Sequence, residues 1–294
     1  MKLRFHWMLP KAGEVEGAAG QTPQAAARYR RQTLQPDSPA ARLDLAGWAS
    51  FAQRAEESGI ESVMIALNEP DPLLISCALG GLTKRLRFIV THRSGLMHPT
   101  SFVHQINTLS TLIGGRVAVN LVAGRQANDH RAVGDLLDDD EVDERTKEFL
   151  TVCNAFWSNG GEVNFDGRYY RVEKGKLHTP FSRQGPCAPR IYVSGDSQGA
   201  EQWALAGATC LLHTAKSPEQ LQLRTALARS RGLEVGVNFY VVCRPTREEA
   251  IEVARSLLPD DEHRTAHGVD PRDGWINQSL WVGTPQDIAA DLLK

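Results

Sequence analysis

Four short runs hold the residues best suited to chemistry. Val193-Ser-Gly-Asp-Ser-Gln-Gly-Ala200 reads as a strand, a Gly/Ser turn and a helix start. The first N–H groups of a helix are unpaired and its dipole is positive there, so a phosphate is well matched. Ser194, Gly195, Asp196 and Ser197 are the candidates to hold it. Gly195 admits close backbone approach and Ser197 adds a hydroxyl. An ordinary N-capped turn is the alternative. Thr91-His-Arg-Ser94 is the second run. A Thr, a His and an Arg together are costly to bury without a partner. An anionic substrate or a polar ring edge would serve as one, and so would a neighbouring carboxylate in a solvated loop. Asn120 closes an otherwise apolar strand, either facing a ligand or as a satisfied core amide. Asn238 and Tyr240 lie two apart in the run Val235–Cys243, and alternate strand positions share a face. Both then line the interior near a mouth, or simply pack there.

Other chemistries find little support. No G-x-S-x-G elbow is present. His263 and His267 are four apart but lack an H-E-x-x-H frame, so no metal site is expected. Asp138-Asp-Asp-Glu141 reads as a solvated acidic entry to a helix. The five cysteines are dispersed and odd in number, which fits buried small hydrophobes in a reducing cytoplasm.

The elements that must position these residues alternate. Apolar runs at Leu3–Leu9, Ser62–Leu67, Leu86–His92, Arg116–Val122, Arg190–Val193, Cys210–His213 and Val235–Cys243 read as seven strands. Helical patterns lie between them, at about 45–58, 72–82, 100–113, 144–158, 198–206, from Ser217 and from Thr246 to Leu258. Thr284-Pro285 opens a last helix. Asp166-Gly167 between extended arms predicts a β-hairpin inserted in this rhythm. One α/β barrel over 1–294 accounts for the pattern, with a polar insertion at about 11–41 and a mobile loop at about 259–275. In such barrels function lies on loops after the C-terminal strand ends, where the four runs fall. An open doubly wound sheet would want a G-x-G-x-x-G after the first strand, and none is there. A net charge of -2 argues against nucleic acid or an anionic membrane as main partner. No apolar run is long enough for a transmembrane helix.

Taken in order, several pieces resemble the bacterial luciferase-like flavin-dependent monooxygenases, nearest to their alkanesulfonate group. They are Phe5-His-Trp-Met-Leu-Pro10, Leu86-Arg-Phe-Ile-Val90 with Arg93 and His98-Pro-Thr100, Gly115-Arg-Val-Ala-Val-Asn-Leu-Val-Ala-Gly124, Glu144-Arg-Thr-Lys-Glu-Phe149, Phe165-Asp-Gly-Arg-Tyr-Tyr-Arg-Val172 and Arg190-Ile-Tyr-Val-Ser-Gly-Asp-Ser197. The resemblance implies a TIM-type (β/α)8 barrel using reduced FMN from a separate reductase, and O2. A flavin peroxide would then oxygenate a small organic substrate. It assigns Gly195–Ser197 to the FMN phosphate and places Thr91 and Asn120 near the ring and ribityl chain. It also implies a homodimer or homotetramer.

This chain departs from the sulfonate pattern. Asn238 and Tyr240 stand where that group has a substrate-facing Arg and His. The Asn68–Asp71 stretch replaces a cysteine, and Asp143 a tyrosine. A simple alkanesulfonate is therefore not the expected substrate, although Arg93 remains to hold an anion. The helix from Thr284 resembles the one before the family's last strand, so the last strand and helix are expected to be missing from this chain. A flavin-binding subunit without turnover and an F420-dependent dehydrogenase on the same fold are the competing expectations.

Overall fold

A computed structural model describes residues 3–9, 45–67, 71–122, 131, 133–158, 161–182, 187–195, 197–214, 222, 225–226, 228–257 and 280–292. The expected insertion at 11–41, the loop at 259–275, the Ser217 helix start, Asp196 and the pair His263 and His267 lie outside these residues. The described residues fall in two compact units. One draws on Met1–Leu9, Trp48–Leu212 and Leu227–Gly236, the other on Pro10–Gly47, His213–Ala226 and Val237–Lys294.

The larger unit is organised by a seven-stranded sheet. Its strands are β1 (His6–Met8), β2 (Ser62–Ile65), β3 (Arg87–His92), β4 (Val117–Val122), β7 (Ile191–Ser194), β8 (Cys210–Thr214) and β9 (Glu234–Asn238), in that spatial order. Pairing from β1 to β8 is parallel throughout. Parallel strands covered on both faces read as mostly apolar runs, and β3 and β4 do, interrupted by Arg87, Thr91 and His92 in the first and by Asn120 in the second. Val63, Phe88, Val90, Val119, Leu121 and Val193 fill the face that meets the helices. The other face carries a cluster of Ile89, Ala118, Tyr192 and Cys210, with Met64 and Leu212 packed on it.

The helices start where their caps dictate. In α2 (Pro72–Leu82) the Asp71 carboxylate accepts from Leu73 N and Leu74 N at 2.8 and 3.0 Å, ahead of a proline at the first position. Pro99 opens α3 (Pro99–Leu112) in the same way. Gly114 and Gly115, both at positive φ, turn the chain straight from α3 into β4. The next helix, α4 (Asp139–Ser158), begins five residues earlier than the pattern from Glu144 suggests. Asp138 and Glu141 explain this. Glu141 N donates to Asp138 Oδ1 at 2.9 Å and Asp138 N to Glu141 Oε2 at 3.4 Å, a reciprocal capping box. The acidic run, expected as a solvated entry to the helix, is thus its cap and first turn. Preceding α3 and α4, α1 spans Leu45–Glu57, and α5 (Gln198–Leu205) follows β7.

Between α4 and β7, β5 (Val163–Asp166) and β6 (Arg171–Gly175) pair antiparallel. The turn is closed by Gly167 N donating to Tyr170 O at 3.0 Å. Glu148 of α4 accepts from three successive amides there, Arg168, Tyr169 and Tyr170, at 2.8, 2.9 and 3.2 Å. That contact gives Glu148 and the Asp166-Gly167 turn a shared structural reason.

In the smaller unit β10 (Tyr240–Cys243) pairs parallel with β11 (Leu280–Gly283). The helices α6 (Arg247–Leu257) and α7 (Pro285–Leu292) follow these strands. Thr246 and Thr284 cap them, through Glu249 N and Asp287 N, each at 3.2 Å. Val242, Ala250, Ala254 and Val282 form the core. The single strand expected over Val235–Cys243 is corrected here: it divides at Phe239 into β9 and β10. Phe239 stacks on Trp281 with ring centroids 4.2 Å apart, which anchors the break. The strand β11 was not foreseen. Four residues run directly into a capped helix, too short a stretch to show a period.

Candidate functional site

The inner face of the sheet ends, on three adjacent strands, in Thr91, Asn120 and Ser194. Register sets Thr91 opposite Asn120, and Asn120 opposite Tyr192 with Ser194 two residues on. The three side chains join. Ser194 Oγ donates to Asn120 Oδ1 at 2.8 Å, and Asn120 Nδ2 donates to Thr91 Oγ1 at 3.3 Å. The second Asn120 N–H points to Met64 Sδ at 3.9 Å, a weak acceptor. The amide is thus a satisfied interior group, and its job is to orient two hydroxyls. The Thr91 hydroxyl proton is left to donate onward, and Ser194 Oγ retains acceptor capacity. One end of the ladder donates and the other accepts. Every member is neutral.

Ser194 leads directly into the turn. Gly195 N donates to Leu212 O at 3.3 Å, so this amide belongs to the sheet. A Cβ on Gly195 would stand 2.8 Å from Ala200 Cβ, which explains the glycine by close packing of strand and helix. Ser197 is the N-cap of α5 and accepts from Ala200 N at 3.1 Å. Its hydroxyl proton remains a donor at the positive end of that helix.

Not every candidate gathers here. Thr91 and His92 point to opposite faces of β3, so the expected Thr-His-Arg group is corrected. His92 lies among the helices, stacked on Phe102 at 4.2 Å and tilted on Phe149 at 5.4 Å. Burial pushes its pKa down to about 3, so it is a neutral core ring. Arg93, half-buried, opens the loop after β3. Asn238 ends β9 with its side chain exposed, while Tyr240 opens β10. They do not share a strand, so the alternation that put them on one face does not apply.

A second polar set lies at the opposite, N-terminal end of the inner face. His6 Nδ1 meets Ser62 Oγ at 2.5 Å, and Tyr192 OH lies 3.5 Å from His6 Nε2. Arg190 pairs with Glu234 beside them. Burial lowers the His6 pKa, with Glu61 opposing, and burial pushes the nearby Cys210 thiol up to about 12. Sequence reading missed this set because each member sits at a strand start, where apolar runs and polar loops merge. It quoted Ser94, Arg145 and Tyr170 within longer runs without connecting them and did not single out Asp135, and the four meet beside β3. Arg145 lay within the quoted Glu144–Phe149 piece, but only the fold gives it partners. Among the described residues no cluster of His, Cys, Asp and Glu could hold a metal ion. None of their helices is long and apolar enough to cross a membrane.

A parallel sheet whose strands follow chain order, with helices between them, belongs to the TIM-barrel class, and the polar ladder lies at its C-terminal strand ends. The family model described as luciferase-like monooxygenase matches residues 4–294. The chain belongs to the luciferase-like monooxygenase family, a family of flavin-dependent oxidoreductases. Solved structures agree on the fold. EDTA monooxygenase from Chelativorans sp. BNC1 is similar at a TM-score of 0.79 and 18% identity, over 100% of this chain and 86% of that one. A riboflavin lyase solved with modified FMN and riboflavin gives 0.74 and 18%, over 100% and 84%. The F420-dependent tetrahydromethanopterin reductase from Methanopyrus kandleri gives 0.67 and 14%, over 100% and 90%.

Proposed function

We propose that the chain is an FMN-dependent monooxygenase that uses reduced FMN and O2 on a small organic substrate. The ladder Thr91–Asn120–Ser194, running into the Gly195–Ser197 turn, carries this reading. The ladder fits a flavin by chemistry. A flavin ring edge presents carbonyl acceptors for the Thr91 hydroxyl, and a ribityl chain offers hydroxyls to Ser194. A phosphate suits the N-terminus of α5, with Ser197 adding a donor. Neutral groups suit a ring whose charge changes with its redox state. When bound, reduced FMN supplies the electrons that activate O2. The protein's own residues bind, orient and keep water out. Arg93 offers an anionic substrate a charge-assisted hydrogen bond. With Asn238 and Tyr240 in place of Arg and His, a simple alkanesulfonate lacks its expected charge partners. A reductase, a cytoplasmic setting and a homodimer or homotetramer belong to the same proposal.

The F420-dependent neighbour keeps a second reading in view, since one fold serves both cofactors. Anaerobic titration with FMN, reduced FMN and F420 separates the two. Saturable binding of reduced FMN, followed by substrate-dependent oxygen uptake with a reductase, supports the proposal. Preference for F420 supports the dehydrogenase reading. Flavin binding without oxygen uptake across a substrate panel supports a non-catalytic flavin subunit. No saturable binding of any form would sink all three.

A further inference from the structure

The loop after β3 is held by an ion pair that the ladder does not need for its own hydrogen bonds. Asp135 and Arg145 form a two-pronged pair, with Oδ1 to Nη1 at 2.8 Å and Oδ2 to Nη2 at 2.5 Å. Their side chains are only 10% and 11% exposed, respectively. Such a pair gains little net stability over apolar packing, because both charges are desolvated. Its fork does fix direction.

What it fixes is Ser94 and Gly95. Arg145 Nε reaches Ser94 Oγ at 3.4 Å, and Ser94 Oγ meets Thr146 Oγ1 at 2.8 Å. From the hairpin, Tyr170 OH donates to Ser94 O at 2.7 Å. Tyr170 also stands edge-on to His98, ring centroids 5.4 Å apart. A Cβ at Gly95 would fall on the Asp135 carboxylate and 2.8 Å from Arg145 Nη2. The glycine is therefore required by the pair itself, which fills the space over the loop. Four separate segments meet there: the loop after β3, Asp135 between β4 and α4, α4 itself, and Tyr170 of the hairpin.

We infer that Asp135 and Arg145 are positioning residues, a clamp that locks the Arg93–Gly95 loop and so steadies Arg93 and the end of β3 at Thr91. The clamp stands on geometry. Its consequence for catalysis rests on the flavin reading above. Loops after barrel strands are otherwise mobile, and a site on them must be held by its surroundings.

The test measures hydrogen exchange on the full-length, cofactor-free chain with Arg145→Met, Asp135→Asn and Gly95→Ala. Amides in 91–98 and 133–138 should exchange about tenfold faster or more, while those in β7 and β8 keep their protection. Arg145→Lys keeps the charge but loses the fork, and should fall between the wild type and Arg145→Met. If Arg145→Met does not fold, Arg145→Lys and Asp135→Asn carry the test. Unchanged exchange in 91–98 overturns the clamp. So does an equal rise across the whole sheet, which would mean simple fold stabilisation. A second readout is FMN affinity, expected to weaken by about tenfold with a changed absorption spectrum of the bound flavin. Full FMN affinity and an unchanged spectrum in variants whose 91–98 amides are loosened would overturn the positioning role. A wild-type chain that binds no flavin overturns the functional reading alone, because exchange still decides the clamp.

Discussion

The inner face of the large sheet carries polar groups at both ends, and the two sets are built differently. At the C-terminal end, Thr91, Asn120 and Ser194 are neutral and linked one to the next. At the N-terminal end, His6 and Ser62 meet and Tyr192 approaches, beside the charged pair Arg190 and Glu234. A neutral hydroxyl can exchange one partner for a ligand at little cost. At the other end a partly solvated charged pair ties the start of β7 to the start of β9. The first construction suits binding and the second suits closure, in line with the division of labour between the two ends of a barrel.

Removing the centre of the upper set is the most damaging change expected. Asn120→Leu leaves the Ser194 donor and a Thr91 acceptor unmatched. FMN affinity should fall by about a hundredfold, with stability down by roughly 1–3 kcal/mol. Fluorescence titration and urea unfolding measure the two. Retained affinity would break the assignment of this end to the cofactor.

The outer face of β3, the strand that carries Thr91, sharpens the contrast through pH. Burial holds the His92 pKa near 3 in the folded protein, against 6.5 for a free ring. Between those values the unfolded chain binds the extra proton. The stability tied to a neutral His92 is whole above 6.5 and drains as pH falls toward 3, by up to roughly 1 kcal/mol per pH unit. His92→Leu should flatten that acid slope in urea unfolding between about pH 7.5 and about pH 4.5. An unchanged slope would assign it to other groups.

Smaller effects follow. Ser197→Ala loses the α5 cap, costing about 1 kcal/mol, and should weaken FMN more than it weakens riboflavin, which has no phosphate. Equal weakening of both would remove the turn from the phosphate site. Least of all, Glu234→Gln at the lower end should cost under about 1 kcal/mol, since the pair is partly solvated, and leave FMN binding unchanged. Loss of FMN affinity in that variant would erase the distinction between the two ends.

Much of the sheet was legible in advance. The runs that became β2, β3, β4, β7 and β8 are apolar because helices and an inner core cover both faces. The hairpin turn and the helix caps at Thr246 and Thr284 rest on local hydrogen bonds, which neighbours in sequence suffice to specify. Of the candidate site, Thr91, Asn120 and Ser194 were all named at strand ends, and the resemblance set Thr91 and Asn120 near one ring and ribityl chain. Their connection was not legible, because it depends on the order β3-β4-β7 and a register that skips the hairpin.

What the sequence alone determined is therefore local: strand and helix periods, caps, turns, and an ordered set of family pieces. Tertiary structure decided which side of β3 faces the ladder, so that Thr91 joins it and His92 does not. It also divided one apolar run at Phe239 into strands of two sheets, and brought Asp135 to Arg145 over Gly95. The reason is physical. Periodicity constrains which residues share a face, but only packing between distant segments decides what that face meets.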